Sequence, residues 1–251
     1  MKRLEIFMAV LLLSLSFVLF YVRGEDVETA ANTQEKETSL EESQESLKEN
    51  VQKNSQENSF VVVLDAGHGA GDSGKVGIHG ELEKDINLSI VLYLKEELES
   101  RGVTVILTRS DDTPLYQETD SNKKITDMKK RIEIIEEANP DIVVSIHQNS
   151  YTSEAVKGPQ VFYYETSTEG KELATAIQKS FDLVVGEEEN RRSIKGNKDY
   201  YLLIHTSCPI VITECGFLSN SYEANKLKTE EYQKRIAEAV GIGIMEYLMN
   251  K

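Results

Sequence analysis

VVVLDAGH (61–68) is a short, β-branched and almost uninterrupted apolar run that ends on a histidine. Such a run reads as a strand buried on both faces of an α/β sheet. The pattern recurs twice: DIVVSIHQNS (141–150) delivers His147, and PIVITECGF (209–217) delivers Glu214. In open α/β sheets, ligands bind in the crevice beyond the carboxyl ends of the strands. Three strands that each end on a residue able to bind a metal or move a proton therefore predict one site at that edge.

The segments between these runs supply the helices. Ile86, Ile90, Leu94 and Leu98 repeat every four residues and predict a helix from about Asp85 to Arg101, stopped by Gly102. VTVILT (103–108) reads as the next strand, ending at Arg109. An amphipathic helix follows at about 123–138, closed by Asn139–Pro140. QVFYYE (160–165) is a further strand, a candidate for an edge. A helix at about 168–184, a basic loop with Arg191, Arg192 and Lys195, and a short helix near 198–205 come next. Strand 209–214 and a terminal helix from Glu230 to Met249, with Ile236, Val240, Ile244 and Leu248 as its buried stripe, complete the pattern. The expected fold class is α/β, a mostly parallel central sheet with helices on both faces, in a single domain over residues 59–251.

Upstream of that domain the composition changes twice. Residues 1–23 place Lys2 and Arg3 before an uncharged run from Ile6 to Val22. That length is at the short end for a membrane span, about 17–25 residues, and above a signal-peptide core, about 7–15. The segment reads as a signal-anchor or signal peptide, with the uncleaved anchor favoured, and its basic flank predicts export of everything downstream. Residues 24–58 hold ten acidic and three basic residues and no aromatic. This is the composition of an acidic disordered linker.

The charge balance excludes one partner class. Residues 59–251 carry 22 basic against 32 acidic side chains, so no nucleic acid is expected to bind. Cys208 and Cys215 flank a strand and would lie about 23 Å apart, too far for a disulfide. They read as buried small hydrophobes.

Among the four histidines, His68 sits between two glycines at a strand end, and His147 occupies the equivalent place on its own strand. Exposed polar groups at such ends are more often functional than structural. His79, in a polar glycine-flanked loop, is either solvated or a substitute ligand, and His205 reads as a structural residue near the short helix. A hydrolytic zinc takes three protein ligands, two histidines and a glutamate being one standard set. The glutamate here could be Glu81, Glu83 or Glu214. Glu83 would otherwise be an ordinary acid at a helix start. Glu214 ends an apolar strand, so burial would raise its pKa and suit it to general-base work. Its alternative role is as a structural partner of Arg109 or Arg131.

Gly69-Ala-Gly71-Asp-Ser-Gly74 formally matches a dinucleotide fingerprint, but no helical period follows and the next strand ends in Thr108–Arg109 rather than an acid. No phosphate loop of the form GxxxxGK[ST] and no GxSxG elbow is present.

Taken in order, DAGHGAGDSGKVG, GELEKDINLSI, VILTR, SIHQNS and ITECGFLSN resemble the zinc-dependent N-acetylmuramoyl-L-alanine amidases of the amidase-3 type. The family commonly reads DPGHGG where this chain has DAGHGA (65–70), which changes loop rigidity and keeps the histidine. The resemblance places the metal ligands on His68, Glu83 and His147, one Zn2+ per domain, and the catalytic carboxylate on Glu214. It implies peptidoglycan as substrate, cleaved between N-acetylmuramic acid and L-alanine. Asn149 is a candidate oxyanion contact, and Arg192 and Lys195 are candidate contacts for stem-peptide carboxylates.

Within the family, the single N-terminal hydrophobic segment and bare catalytic domain resemble CwlD-type amidases of spore formers. That likeness implies spore-cortex maturation through muramic-δ-lactam, a role in germination, and a place in the forespore intermembrane space. A membrane is then a partner through residues 1–23, and the reading leaves room for an accessory protein. Two other functions fit a similar ligand set: a zinc peptidase acting on the stem peptide, and a non-catalytic wall-glycan binding protein.

Overall fold

The computed structural model describes residues 60–186 and 192–251. The expectations for residues 1–23 and 24–58, and for Arg191, lie outside the described residues. Among the described residues, no helix is long and apolar enough to cross a membrane.

Six strands form one sheet: β1 (Val61–Ala66), β2 (Thr104–Leu107), β3 (Ile142–Asn149), β4 (Gln160–Tyr164), β5 (Lys195–Asn197) and β6 (Ile210–Phe217). Their order is β2-β1-β3-β6-β4-β5. The helices are α1 (Glu83–Ser100), α2 (Lys123–Ala138), α3 (Thr168–Val184), α4 (Tyr201–His205), α5 (Ser221–Leu227) and α6 (Glu230–Met249).

The first four strands in that order run parallel, and β4 runs antiparallel to β6. The connection explains the reversal. Parallel neighbours need a crossover that carries the chain back across the sheet, usually a helix. Residues 150–159, between β3 and β4, hold no helix, so β4 starts at the end where β3 stops and runs back. Helix α3 then supplies a crossover, and β5 is parallel to β4.

QVFYYE is not an edge strand, because β4 is covered by β6 on one side and β5 on the other. The basic loop begins the short edge strand β5, whose three residues give too brief a pattern to read. Helix α5, of seven residues, is likewise unannounced by any long apolar period.

Alternation along the strands sorts the core into two layers. Val62, Leu64 and Ala66 of β1 pack towards α1, α3 and α6, against residues such as Ile90, Ile177 and Val240. Val63 faces the other way, with Val143, Phe162, Ile210 and Ile212, against Ile135 of α2 and Leu202 and Leu203 of α4. The expected stripes are buried: Ile86, Ile90, Leu94 and Leu98 on α1, and Ile236, Val240, Ile244 and Leu248 on α6. On the α2/α4 side, continuing each strand by two residues past Val63, Val143 and Ile212 reaches Asp65, Ser145 and Glu214, and two more along β3 reach His147. The sheet's second face thus changes from apolar to ionisable at its carboxyl edge.

Candidate metal centre

His68 lies just past β1 in a left-handed backbone conformation, φ 62°, and Ala70 follows at φ 50°. Non-glycine residues seldom adopt this region, and such strain persists only where surroundings enforce it. The enforcement is visible. Arg131 of α2, 2% exposed, donates to the carbonyls of Ala66 at 2.8 Å and His68 at 2.6 Å. Arg109, from the end of β2, donates to the carbonyls of Ala66 (2.9 Å), Gly67 (3.2 Å) and Lys84 (2.8 Å). Ala70 N donates to Asp112 Oδ1 at 2.7 Å.

The charge on Arg131 is balanced by Asp65 Oδ1 and Asp127 Oδ2, each at 2.6 Å. Asp65 also accepts from the hydroxyls of Thr108 and Ser145. Burial alone would raise the Asp65 pKa, but Arg131 and the two hydroxyls outweigh it and hold the carboxyl down to about 2. Both arginines are engaged in this network, so neither serves as the structural partner of Glu214 considered from the sequence.

Helix α1 opens with Glu83, which stands 3% exposed between the two histidines. Its Oε1 lies 3.3 Å from His68 Nε2 and 3.0 Å from His147 Nδ1. Backbone N–H groups hold this carboxylate: Gln148 N donates to Oε1 at 3.0 Å and Lys75 N to Oε2 at 2.7 Å. The rings of His68 and His147 meet edge to face with centroids 5.0 Å apart. The approach demands missing side chains, since a Cβ on Gly67 would overlap the His147 ring. A Cβ on Gly74 would come within 2.6 Å of both Glu83 Oε2 and His68 Cδ2. Among the described residues, His68, Glu83 and His147 form the group whose ligand atoms all lie within 4.8 Å of one another.

The electrostatics suit a cation. Burial would raise the Glu83 pKa, yet the two imidazoles drive it far below the carboxylate range. Burial disfavours charge on His68 as well, but Glu83 and Asp72 hold its pKa up to about 9. Without a metal, the acids keep a proton on the ring where an ion would sit. Asp72 Oδ2 lies 3.0 Å from His68 Nδ1, the arrangement that orients a metal-binding imidazole from behind.

Glu214 is a neighbour of this group and not a member of it. It is the register partner of His147 across β3 and β6 and of Gln160 across β4 and β6. It is 9% exposed, and its buried Oε2 has no hydrogen-bond partner among the described residues. Burial raises its pKa to about 7; Glu83 adds to the rise, while the histidines oppose it. A carboxyl poised there can take or give a proton near neutral pH. Glu214 shares with His68 and His147 a cleft of about 750 Å³ that also reaches Tyr116, Lys124, Met128 and Tyr200.

The other candidates fall elsewhere. Asn149 Oδ1 accepts from Ser150 N at 2.8 Å, after an irregularity in the β3–β6 register. Arg192 donates to Gln160 Oε1 at 3.2 Å and lies over the Phe217 ring at 5.0 Å. Lys195 lies 5.7 Å over Phe162. None of the three is among the cleft-lining residues. His79 bonds Ser221 Oγ at 3.1 Å, and His205 bonds the Tyr201 carbonyl at 2.9 Å while stacking on its ring. Glu81 Oε2 accepts from His79 N at 3.1 Å. Cys208 and Cys215 are both free thiols. Asp72 and Tyr200 were missed from the sequence. Asp72 carried a signal, four residues beyond His68 in the same glycine-rich loop, whereas Tyr200 carried none.

Fold and cleft define the class first: an α/β enzyme domain with a metal-capable centre at its strand ends. The chain belongs to the amidase-3 family, N-acetylmuramoyl-L-alanine amidase, whose pattern matches residues 62–246. Its sequence is 34% identical over 195 residues to the germination-specific N-acetylmuramoyl-L-alanine amidase of Bacillus subtilis, covering 76% of this chain and 81% of that protein. The structure of the CwlD amidase from Clostridioides difficile, solved in complex with the GerS lipoprotein, is 42% identical with a TM-score of 0.74. It covers 77% of this chain and 100% of that one. The catalytic domain of CwlV, an N-acetylmuramoyl-L-alanine amidase from Bacillus (Paenibacillus) polymyxa, is 36% identical with a TM-score of 0.66 over 76% of this chain and 99% of that one.

Proposed function

We propose that this chain is a zinc-dependent amidase that cleaves the bond between N-acetylmuramic acid and L-alanine in peptidoglycan, acting on spore cortex. The observation that carries the reading is the division of labour between two glutamates. Glu83 lies within 3.3 Å of both imidazoles, while Glu214 leaves a buried oxygen unpartnered in the same cleft. Two nitrogens and a carboxylate oxygen are a donor set that suits zinc and leaves a position open.

His68, Glu83 and His147 would hold the ion, and bound zinc would supply a Lewis acid for the carbonyl oxygen and acidify water. Glu214 takes the proton from the attacking water as its oxygen bonds to the lactyl carbonyl carbon. When the carbon–nitrogen bond breaks, Glu214 gives that proton to the departing alanine nitrogen. Its buried position near the site keeps its proton affinity close to neutral, which both transfers require. Asp72 fixes the ring of His68. Arg192, next to Gln160 on the far side of Glu214, and exposed Lys195 are proposed to meet carboxylates of the stem peptide.

The spore-cortex assignment draws on the likeness to the germination-specific relative and to the CwlD amidase. An extracytoplasmic domain tethered by residues 1–23 follows from the basic flank and the uncharged run from Ile6 to Val22. The lipoprotein in the C. difficile complex supports an accessory partner for this chain too. Mass spectrometry of digested peptidoglycan tests the reading. Intact stem peptides with a new N-terminal L-alanine are expected; cleavage inside the stem peptide would make the chain a peptidase instead.

A further inference from the structure

We propose that the Tyr200 hydroxyl is a second electrophile of the amidase reaction, donating a hydrogen bond to the scissile carbonyl oxygen as it becomes an oxyanion. The proposal rests on the amidase reading above and adds to it a catalytic group that neither binds metal nor moves a proton.

Tyr200 is fixed at both ends. Asn197 Oδ1 accepts from the backbone N–H groups of Asp199 and Tyr200, each at 2.8 Å, which sets the backbone just before α4. The half-buried ring meets Phe162 edge to face, centroids 5.6 Å apart and planes at 60°. Phe162 is the register partner of Ile212, two residues before Glu214 on β6, so all three share one face of the sheet. Tyr200 then lines the same cleft as His68, His147 and Glu214.

The hydroxyl is uncommitted. Among the described residues it has no hydrogen-bond partner, whereas the hydroxyl of Tyr116 in the same cleft accepts a backbone hydrogen bond. Tyr116 accepts from Gly71 N at 3.3 Å and carries Lys123 over its ring at 5.4 Å, and Tyr201 stacks on His205 at 4.0 Å. Burial raises the Tyr200 pKa, and the charges of Glu214 and Glu83 raise it further, so the phenol keeps its proton. A protonated phenol beside the acidic Glu214 in that cleft can donate but gains nothing by ionising. It is therefore preorganised for an oxygen that acquires negative charge only during reaction.

The chemistry balances without consuming the phenol. Water's oxygen bonds to the carbonyl carbon, the carbonyl π pair moves onto its oxygen, and Glu214 takes the proton. Tyr200 donates a hydrogen bond to that oxygen and transfers nothing. Collapse restores the carbonyl, breaks the carbon–nitrogen bond and returns the proton to nitrogen.

The test compares wild type with Tyr200→Phe in the zinc-loaded full-length chain acting on a soluble muramoyl-peptide. Phenylalanine keeps the ring against Phe162 and removes only the donor. The expected loss in kcat is roughly 10- to 100-fold, up to what one oxyanion donor supplies. KM and zinc content stay as in wild type. A muramoyl-peptide analogue with a phosphinate replacing the scissile amide should bind more weakly by the same factor. A kcat within twofold of wild type, or a loss confined to KM, overturns the role. Wild-type products distinguish this failure from failure of the amidase reading: no N-terminal L-alanine from wild type sinks both, whereas an active wild type with an equally active Tyr200→Phe sinks only Tyr200.

Discussion

His147 on β3 and Glu214 on β6 are register partners in adjacent parallel strands. Partners in register point to the same face, so a metal-capable imidazole and a buried acid are placed side by side by the backbone alone. Everything else at the centre is brought to that pair from loops and helices. His68 arrives on a strained loop, Glu83 on the first turn of α1, and Asp72 behind His68.

The support behind His68 gives the first prediction. Asp72 Oδ2 lies 3.0 Å from His68 Nδ1, and Oδ1 accepts from Gly74 N at 3.0 Å. Asp72→Asn keeps the bond to Gly74 and turns an amide towards the ring. Zinc affinity should fall by roughly 10- to 100-fold, the usual effect of removing such an orienting carboxylate. Competition with a chelating dye reads it directly, and an affinity equal to wild type would show that Asp72 does not position the ring.

The buried arginine gives the second. Arg131 and Asp65 are 2% and 1% exposed at their side chains and 2.6 Å apart. Arg131→Met leaves Asp65 buried without its cation and should cost about 3–5 kcal/mol of stability. Asp65 also sets an acid limit. Its folded pKa, about 2, lies below the unfolded value of 3.8, so its contribution is complete above pH 3.8 and is lost as pH falls towards 2. Denaturant titration of the wild type and of Asp65→Asn across that window measures it. The variant should lack this part of the slope.

Proton release gives the third. His68 holds a proton up to about pH 9 in the metal-free protein and must lose it to coordinate. Burial keeps Glu214 protonated up to about 7, and a nearby cation favours its ionised form. Zinc loading near pH 7 should therefore release about one proton from His68 and a further fraction from Glu214. Apparent affinity should climb with pH until about 9. Calorimetry in buffers of different ionisation enthalpy counts the protons, and Glu214→Gln should lack only the second fraction. Affinity independent of pH through neutrality would contradict the electrostatic account.

The parts of this molecule that were legible in the sequence are those written in long periods or uninterrupted runs. β1, β3 and β6 announce themselves by β-branched residues, and α1 and α6 by their stripes. That is why His68, His147 and Glu214 could be assigned to one edge. The choice among Glu81, Glu83 and Glu214 was not legible from pattern, because it depends on where the first turn of α1 points. It took the family resemblance to place the ligand on Glu83, and the geometry puts that carboxylate between the rings. The antiparallel entry of β4 was hidden for a related reason: a ten-residue connection without a helix reverses direction, yet looks like any other polar loop. Arg131 was visible only as one cation on an amphipathic helix, although it holds two carbonyls of the β1 loop and a buried aspartate.

The division of labour between Glu83 and Glu214 is the centre of the account, and paired substitutions separate the two roles. The decisive measurement is zinc content together with amidase activity for Glu83→Gln and Glu214→Gln, purified side by side with wild type. Glu214→Gln should carry one zinc per chain and lose on the order of 10²–10⁴ in turnover, the contribution of a general acid–base group. Glu83→Gln should lose the zinc itself. Retained activity in Glu214→Gln, or a full complement of zinc in Glu83→Gln, would contradict the assignment.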